Sequence, residues 1–246
     1  MSEKERFSVA EFYCGKRGGA PEEYEDAYAS RSSAGTLRVA IADGATEASF
    51  SRLWARLVVE SFVRRRLAGP EFFQRLEGPR RLWRRRAWQK PLVWYADEKA
   101  RQGAYAAFLG LTLDVQNHRF QAVAIGDSCL FHLDRRSLEM RLLCAFPLAH
   151  SQEFGSTPFL LATRPMGETR HGQVVEGAVR PEDVFLLATD ALAAWMLKRR
   201  EEGWPVWKRM ATELSGQAEF LEVVEEARAD GARNDDMTLL RIVFHG

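Results

Sequence analysis

Cysteine is scarce in this chain: Cys14, Cys129 and Cys144 lie far apart, and none belongs to a CxxC pair. That argues against a disulfide framework and a cysteine zinc site, and it suits a reducing cytoplasm. An excess of charge of one sign is also missing. Lys and Arg number 35 against 34 Asp and Glu, a formal net charge of +1, so no global field draws in nucleic acid or an anionic membrane. Long hydrophobic runs are lacking too. The charged start Met1-Ser2-Glu3-Lys4-Glu5-Arg6 is not followed by an apolar stretch suited to a signal peptide or a membrane span. No repeat, low-complexity tract or Pro/Gly/Ser linker divides the chain. A single cytoplasmic, monomeric domain over residues 1–246 is expected, with neither nucleic acid nor membrane as partner. His118, His132, His150, His171 and His245 show no spacing of a metal pair, and Ser128 has no GxSxG setting. A Ser/His/Asp hydrolase is therefore disfavoured.

What is present is an ordinary globular composition, 46% apolar and 28% charged, able to bury a continuous core. Residues 37–42 form an apolar, strand-like run that stops at Asp43-Gly44. Over 49–67, Leu53, Trp54, Leu57, Val58, Phe62 and Val63 recur at helical spacing until Gly69-Pro70. A second helical block is expected over 80–101. It holds Arg80, Arg81, Arg84, Arg85 and Arg86 with Trp83, Trp88, Trp94 and Tyr95. Such a segment could meet nucleic acid through phosphate contacts and stacking. The expected reading is an amphipathic helix, with Leu82, Trp83 and Ala87 inward and arginines in water.

Strand periodicity returns at 105–114, 119–125, 128–133 and 138–144, four consecutive strands whose short connections predict antiparallel pairing. Residues 145–171, with Pro147, Gly155, Pro158, Pro165 and Gly167, are the longest irregular stretch and a candidate flap, in which Arg164 and Arg170 could meet a phosphate. A strand at 184–189, a helix at 191–200 and a strand at 237–244 follow. Trp195, Trp204 and Trp207 are expected to pack a helix and its following loop against a sheet. Together these elements predict an α+β fold, a four-layer α-β-β-α sandwich of two antiparallel sheets flanked by helices.

Carboxylates stand at the ends of these strands: Glu25-Asp26, Asp43, Asp127, Asp190 and Asp235-Asp236. Any one of them is ordinary turn chemistry. If the ends converge on one edge, several carboxylates there would repel one another unless cations lay between them. Oxygen-only ligation suits Mg²⁺ or Mn²⁺ better than zinc, and two such ions could activate a water for attack on a phosphoryl group.

The segments Tyr24-Glu25-Asp26-Ala27-Tyr28, Ala42-Asp43-Gly44-Ala45, Ile125-Gly126-Asp127-Ser128, Leu187-Ala188-Thr189-Asp190 and Asn234-Asp235-Asp236-Met237-Thr238 resemble, in order, the motifs of the PPM-type (type 2C) protein phosphatases of the bacterial kind. The resemblance covers about residues 10–244. It implies the α-β-β-α sandwich, two Mn²⁺ or Mg²⁺ ions with a possible third, and hydrolysis of phosphoserine and phosphothreonine in a phosphorylated protein substrate without a covalent intermediate. Carried over, Asp43 bridges both ions with the Gly44 carbonyl on the first. Asp190 and Asp235 complete the second site, Glu25 and Asp26 position waters, and Asp127 with Asp190 forms the third-metal site. His171 is outside the motifs.

The chain departs from the family pattern at four places. The arginine that binds substrate phosphate before the Glu-Asp pair is replaced by the region of Ala20 and Pro21, leaving Lys16 or Arg17 as substitutes. Gly44-Ala45-Thr46-Glu47 stands for the usual Gly-His-Gly-Gly, and Asp190-Ala191 for Asp-Gly. Asp236 occupies a position where Asn is frequent, and a turn-capping role is expected of it. Two rival functions follow: a catalytically silent relative that binds phosphoproteins or other partners, and another two-metal hydrolase such as a nuclease or small-phosphoester hydrolase.

Overall fold

Most strands carry apolar residues on both faces, so each sheet must be covered twice. In the computed structural model, which describes residues 6–45, 50–64, 69, 71–89, 94–137, 140–155, 158–164 and 172–245, that requirement is met by stacking two sheets and flanking them with helices. The elements in order are β1 (Phe7–Cys14), β2 (Ala27–Ser33), β3 (Thr36–Gly44), α1 (Ser51–Arg64), α2 (Glu71–Gln74), α3 (Glu77–Ala87), α4 (Trp94–Gln102), β4 (Tyr105–Asp114), β5 (Arg119–Ile125), β6 (Cys129–Asp134), β7 (Arg141–Phe146), β8 (Leu161–Ala162), β9 (Gln173–Ala178), β10 (Asp183–Ala188), α5 (Asp190–Glu201), α6 (Val206–Lys208), α7 (Gln217–Ala229) and β11 (Met237–Phe244). One sheet runs β1-β11-β10-β6-β7 and the other β2-β3-β4-β5-β9, with β8 beside β4. Every pairing is antiparallel.

Three apolar layers result. Val39, Ile41, Leu109 and Leu111 of one sheet meet Leu130, Phe185, Leu187 and Leu240 of the other between the sheets. Trp54, Val58 and Phe62 of α1 cover the outer face of Ala40, Ala42 and Phe108 with Trp83 of α3. On the opposite outer face, Leu192 and Met196 of α5 and Phe220 and Val224 of α7 lie over Phe131, Leu186 and Leu239. At Gly110 α1 comes close to its sheet: a Cβ there would stand 2.7 Å from the Phe62 ring. The missing side chain lets a fully buried phenylalanine rest on strand backbone.

The α+β sandwich is the architecture expected, but its wiring corrects the sequence reading in three ways. The four strands after Gly103 do not form one antiparallel run. β4 and β5 pair within one sheet, whereas β6 and β7 pair in the other. The chain changes sheets at Gly126, whose φ of +100° a β-carbon would strain. The helical block of 80–101 is divided into α3, which ends at Ala87, and α4, which begins at Trp94. Trp195 and Trp207 are buried, but Trp204 is 55% exposed, with the Arg199 guanidinium 4.6 Å above its ring.

Within α3, Trp83 and Ala87 are buried, Leu82 packs partly against the core, and Arg81, Arg84, Arg85 and Arg86 are exposed. Thr46, Glu47, Leu138, Pro165, Gly167, Arg170 and His171 lie outside the described residues. Among the described residues no helix is long and apolar enough to cross a membrane.

Candidate metal centre

The antiparallel registers put the acidic strand ends at one edge of the sandwich. Ala27 pairs with Ala42, so Asp26 enters β2 beside the point where Asp43 leaves β3. In the other sheet Ala188 pairs with Leu239 and Cys14 with Met237, which brings Asp190, Asp235 and the end of β1 together. Asp127 arrives at the sheet crossover after β5.

The electrostatics register this convergence. Asp43 is driven well above the ordinary carboxylate range, by burial first and then by the charges of Asp26, Asp190, Asp235 and Asp127. Burial is also the largest cause for Asp26, again well above its usual value; bonds from Thr238 and Thr189 act against it, while Asp236 and Asp190 add to it. Asp127 is pushed up to about 6 by burial and then by Asp190. Asp235 is raised, by burial first. Like charges at one place with little water between them cannot all stay ionised without a counter-cation.

Asp26 is held from one side only. Its Oδ2 accepts bonds from the hydroxyls of Thr238 (2.6 Å) and Thr189 (3.1 Å), whereas its buried Oδ1 has no partner among the described residues. The Ser128 hydroxyl beside Asp127 is buried and, among the described residues, unpartnered as well. A buried carboxylate oxygen without a partner is costly and calls for an unplaced cation or water. All of the clustered donors are oxygens, the chemistry that hard divalent cations take. In these respects the residues fit Mn²⁺ or Mg²⁺. Nevertheless, among the described residues no three His, Cys, Asp or Glu side chains are grouped so as to hold a metal ion. Asp190 is engaged within the chain: its Oδ2 accepts from Arg233 Nη1 at 2.8 Å and its Oδ1 from the Ala191 N–H at 2.6 Å.

The remaining sequence candidates are placed as follows. Glu25 accepts from the Ser51 hydroxyl at the start of α1. Gly44 ends β3, and the Ala45 N–H that follows bonds the Tyr105 carbonyl at 3.0 Å. The Arg17 guanidinium pairs with Glu225 of α7, while the Arg17 backbone is bonded in both directions by the Asn234 amide. Lys16 is half-buried, and its N–H donates to Asp236 Oδ1 at 2.9 Å. Asp236 does not cap its own turn. Its other oxygen accepts the Glu25 N–H at 2.6 Å, so this carboxylate ties the β1–β2 loop to the start of β11. Asp236→Ala is expected to lower stability by about 2–3 kcal/mol in a denaturant melt, because both bonds are charge-assisted and partly buried. An unchanged midpoint would contradict this role.

Sequence reasoning missed Ser51, Thr189, Thr238 and Arg233. Thr189 directly precedes Asp190 and Thr238 closes the motif that holds Asp235 and Asp236, a signal available in the sequence; Ser51 lies outside the motifs. A groove of about 400 Å³ opens beside Asp127, lined in part by Leu148, Glu153, Pro158 and Phe159 from the flap stretch.

The sequence model described as Protein phosphatase 2C matches residues 17–227. No curated protein matches the sequence. Among solved structures, RsbX in complex with magnesium is 15% identical, with 98% of this chain and 96% of that chain covered and a TM-score of 0.55. The catalytic domain of the serine/threonine phosphatase PstP with two manganese ions is 14% identical over 98% and 99%, at a TM-score of 0.58. The S. agalactiae serine/threonine phosphatase is 9% identical over 97% and 100%, at 0.59. At these identities the structural likeness speaks for the fold.

Proposed function

Because this chain belongs to the protein phosphatase 2C family, we propose that it is a metal-dependent phosphatase acting on phosphoserine and phosphothreonine in proteins. The observation that carries the proposal is the meeting of Asp26, Asp43, Asp127, Asp190 and Asp235 at one edge, each facing the charge of others. Asp43, the Gly44 carbonyl, Asp190 and Asp235 would hold two ions, and Asp127 with Asp190 a third. What a pair of hard divalent cations supplies when bound is acidification of a water and neutralisation of charge on the phosphoryl oxygens.

The chain's own residues do the rest. Asp26, fixed by Thr189 and Thr238, presents Oδ1 to the site as a hydrogen-bond acceptor that can orient a water. Glu25, held by Ser51, serves the same purpose from the rim. Lys16 is the better placed of the two cations proposed for the substrate phosphate, since Arg17 is committed to Glu225. The free thiols of Cys14, Cys129 and Cys144 accord with a reducing, cytoplasmic setting.

One observation favours a second reading, a catalytically silent relative that binds phosphoproteins: both oxygens of Asp190 are already engaged. A single experiment separates the two. The purified chain is expected to hydrolyse a phosphothreonine peptide and p-nitrophenyl phosphate with Mn²⁺ and not after chelation, with Asp190→Ala inactive. Hydrolysis indifferent to metal and to Asp190 would remove the metal-centre reading, binding without turnover would favour the silent relative, and faster attack on DNA or nucleotides would favour another two-metal hydrolase.

A further inference from the structure

Resting on the metal-centre reading, we infer that Arg233 is a built-in cation for Asp190, which a divalent ion must displace to take that carboxylate. Asp190 is the first residue of α5, a helix of 12 residues, and is almost wholly buried. Its Oδ2 accepts from Arg233 Nη1 at 2.8 Å, and the charge of Arg233 also faces Asp127 and Asp235. The guanidinium is thus seated within the acidic cluster and offsets part of its repulsion.

The two ends of this pair differ in freedom. The Asp190 side chain is 7% exposed and is fixed by the Ala191 N–H, while the Arg233 side chain is 54% exposed. The backbone around Arg233 is pinned as well. Asn234 bonds Arg17 in both directions, and the Asp235 N–H donates to the Arg233 carbonyl at 3.0 Å. Displacement therefore needs only rotation of a long side chain into water, not movement of the loop.

Neighbouring guanidiniums do not share this position. Arg17 is held by Glu225, and Arg228 by the carbonyls of Gly15 and Asp235. A divalent ion brings twice the charge of Arg233 and can touch several oxygens at once, so exchange is favourable, but each binding event must first break the pair.

The test is a Mn²⁺ titration of the metal-free proteins, followed by the electron paramagnetic resonance signal of free Mn²⁺ and needing no turnover. Arg233→Ala and Arg233→Gln are expected to bind Mn²⁺ about three- to tenfold more tightly than the natural chain, the scale of a half-exposed ion pair. Arg17→Ala removes a nearby charge that does not touch Asp190 and is expected to change affinity by less than about twofold. Circular dichroism melts establish that each protein is folded, and the glutamine variant, which keeps much of the side chain's bulk, covers the case in which alanine unfolds the loop. Equal or weaker Mn²⁺ binding by both Arg233 variants overturns the inference alone. The same tightening in Arg17→Ala also overturns it, because bulk charge would then be the cause. If no protein binds Mn²⁺, the metal centre falls together with it.

Discussion

Asparagine in place of Asp43 is expected to reduce Mn²⁺-dependent hydrolysis about a thousandfold and, at the same time, to raise the melting temperature of the metal-free protein. The two effects have one origin. Asp43 is the last residue but one of β3, where Asp26, Asp127, Asp190 and Asp235 all oppose its ionisation. With cations present its charge is what holds them, and losing several kcal/mol of transition-state stabilisation corresponds to about a thousandfold in rate. Without cations the same charge is a liability. A neutral amide of equal shape removes the repulsion, a gain of about 2 kcal/mol on the scale seen when buried ions are replaced by neutral groups. For a chain of this size that is a rise of roughly 4–8 °C. Turnover assays and calorimetry with a chelator check both halves. A variant that still turns over with Mn²⁺, or one that melts lower than the natural protein when metal-free, would contradict the reading of Asp43.

The opposite signs would describe a site that serves activity at a cost in metal-free stability. They also explain why so much of it could be read from sequence. An apolar run that ends at Asp43, Asp127 or Asp190 marks both a strand end and an acid, and short-range patterning is enough to see it. Which sheet a strand joins is another matter. β5 and β6 look like consecutive strands because periodicity reports burial, not partners, and only Gly126, with its positive φ, Asp127 and Ser128 separate them. The edge strand β9, Gln173–Ala178, was invisible for a related reason: its burial pattern is mostly exposed or intermediate. Arg17 and Glu225 are 208 residues apart, and Arg233 and Asp190 are 43. No local rule predicts which arginine a distant carboxylate will claim, so neither pairing could be read from the sequence.

Removing metal is expected to make this protein less stable as pH rises from about 4 to above 6, the reverse of the usual acid side of a stability profile. Asp127 carries the argument because burial, then the Asp190 charge, lifts it from 3.8 to about 6 in the folded chain. Unfolded, it releases its proton near 4. Below that pH both states hold the proton and the contribution is fully present. Between about 4 and 6 the folded chain binds more protons than the unfolded one, so stability falls with pH, by about 3 kcal/mol for this group. Asp26, Asp43 and Asp235 are shifted in the same direction. The carboxylates that are lowered, such as Asp114, Asp134, Glu153 and Glu201, lose their contribution as pH falls through the ordinary carboxylate range, so they oppose this trend only at the acid end of the window. Adding Mn²⁺ at about a hundred times its dissociation constant restores roughly 2.7 kcal/mol by mass action. Urea melts at pH 4.5, 6 and 7.5, with chelator and with Mn²⁺, measure the slope and its rescue. Asp127→Asn should flatten the metal-free slope, and a metal-free protein that gains stability across that interval would show that the aspartates are not crowded as described.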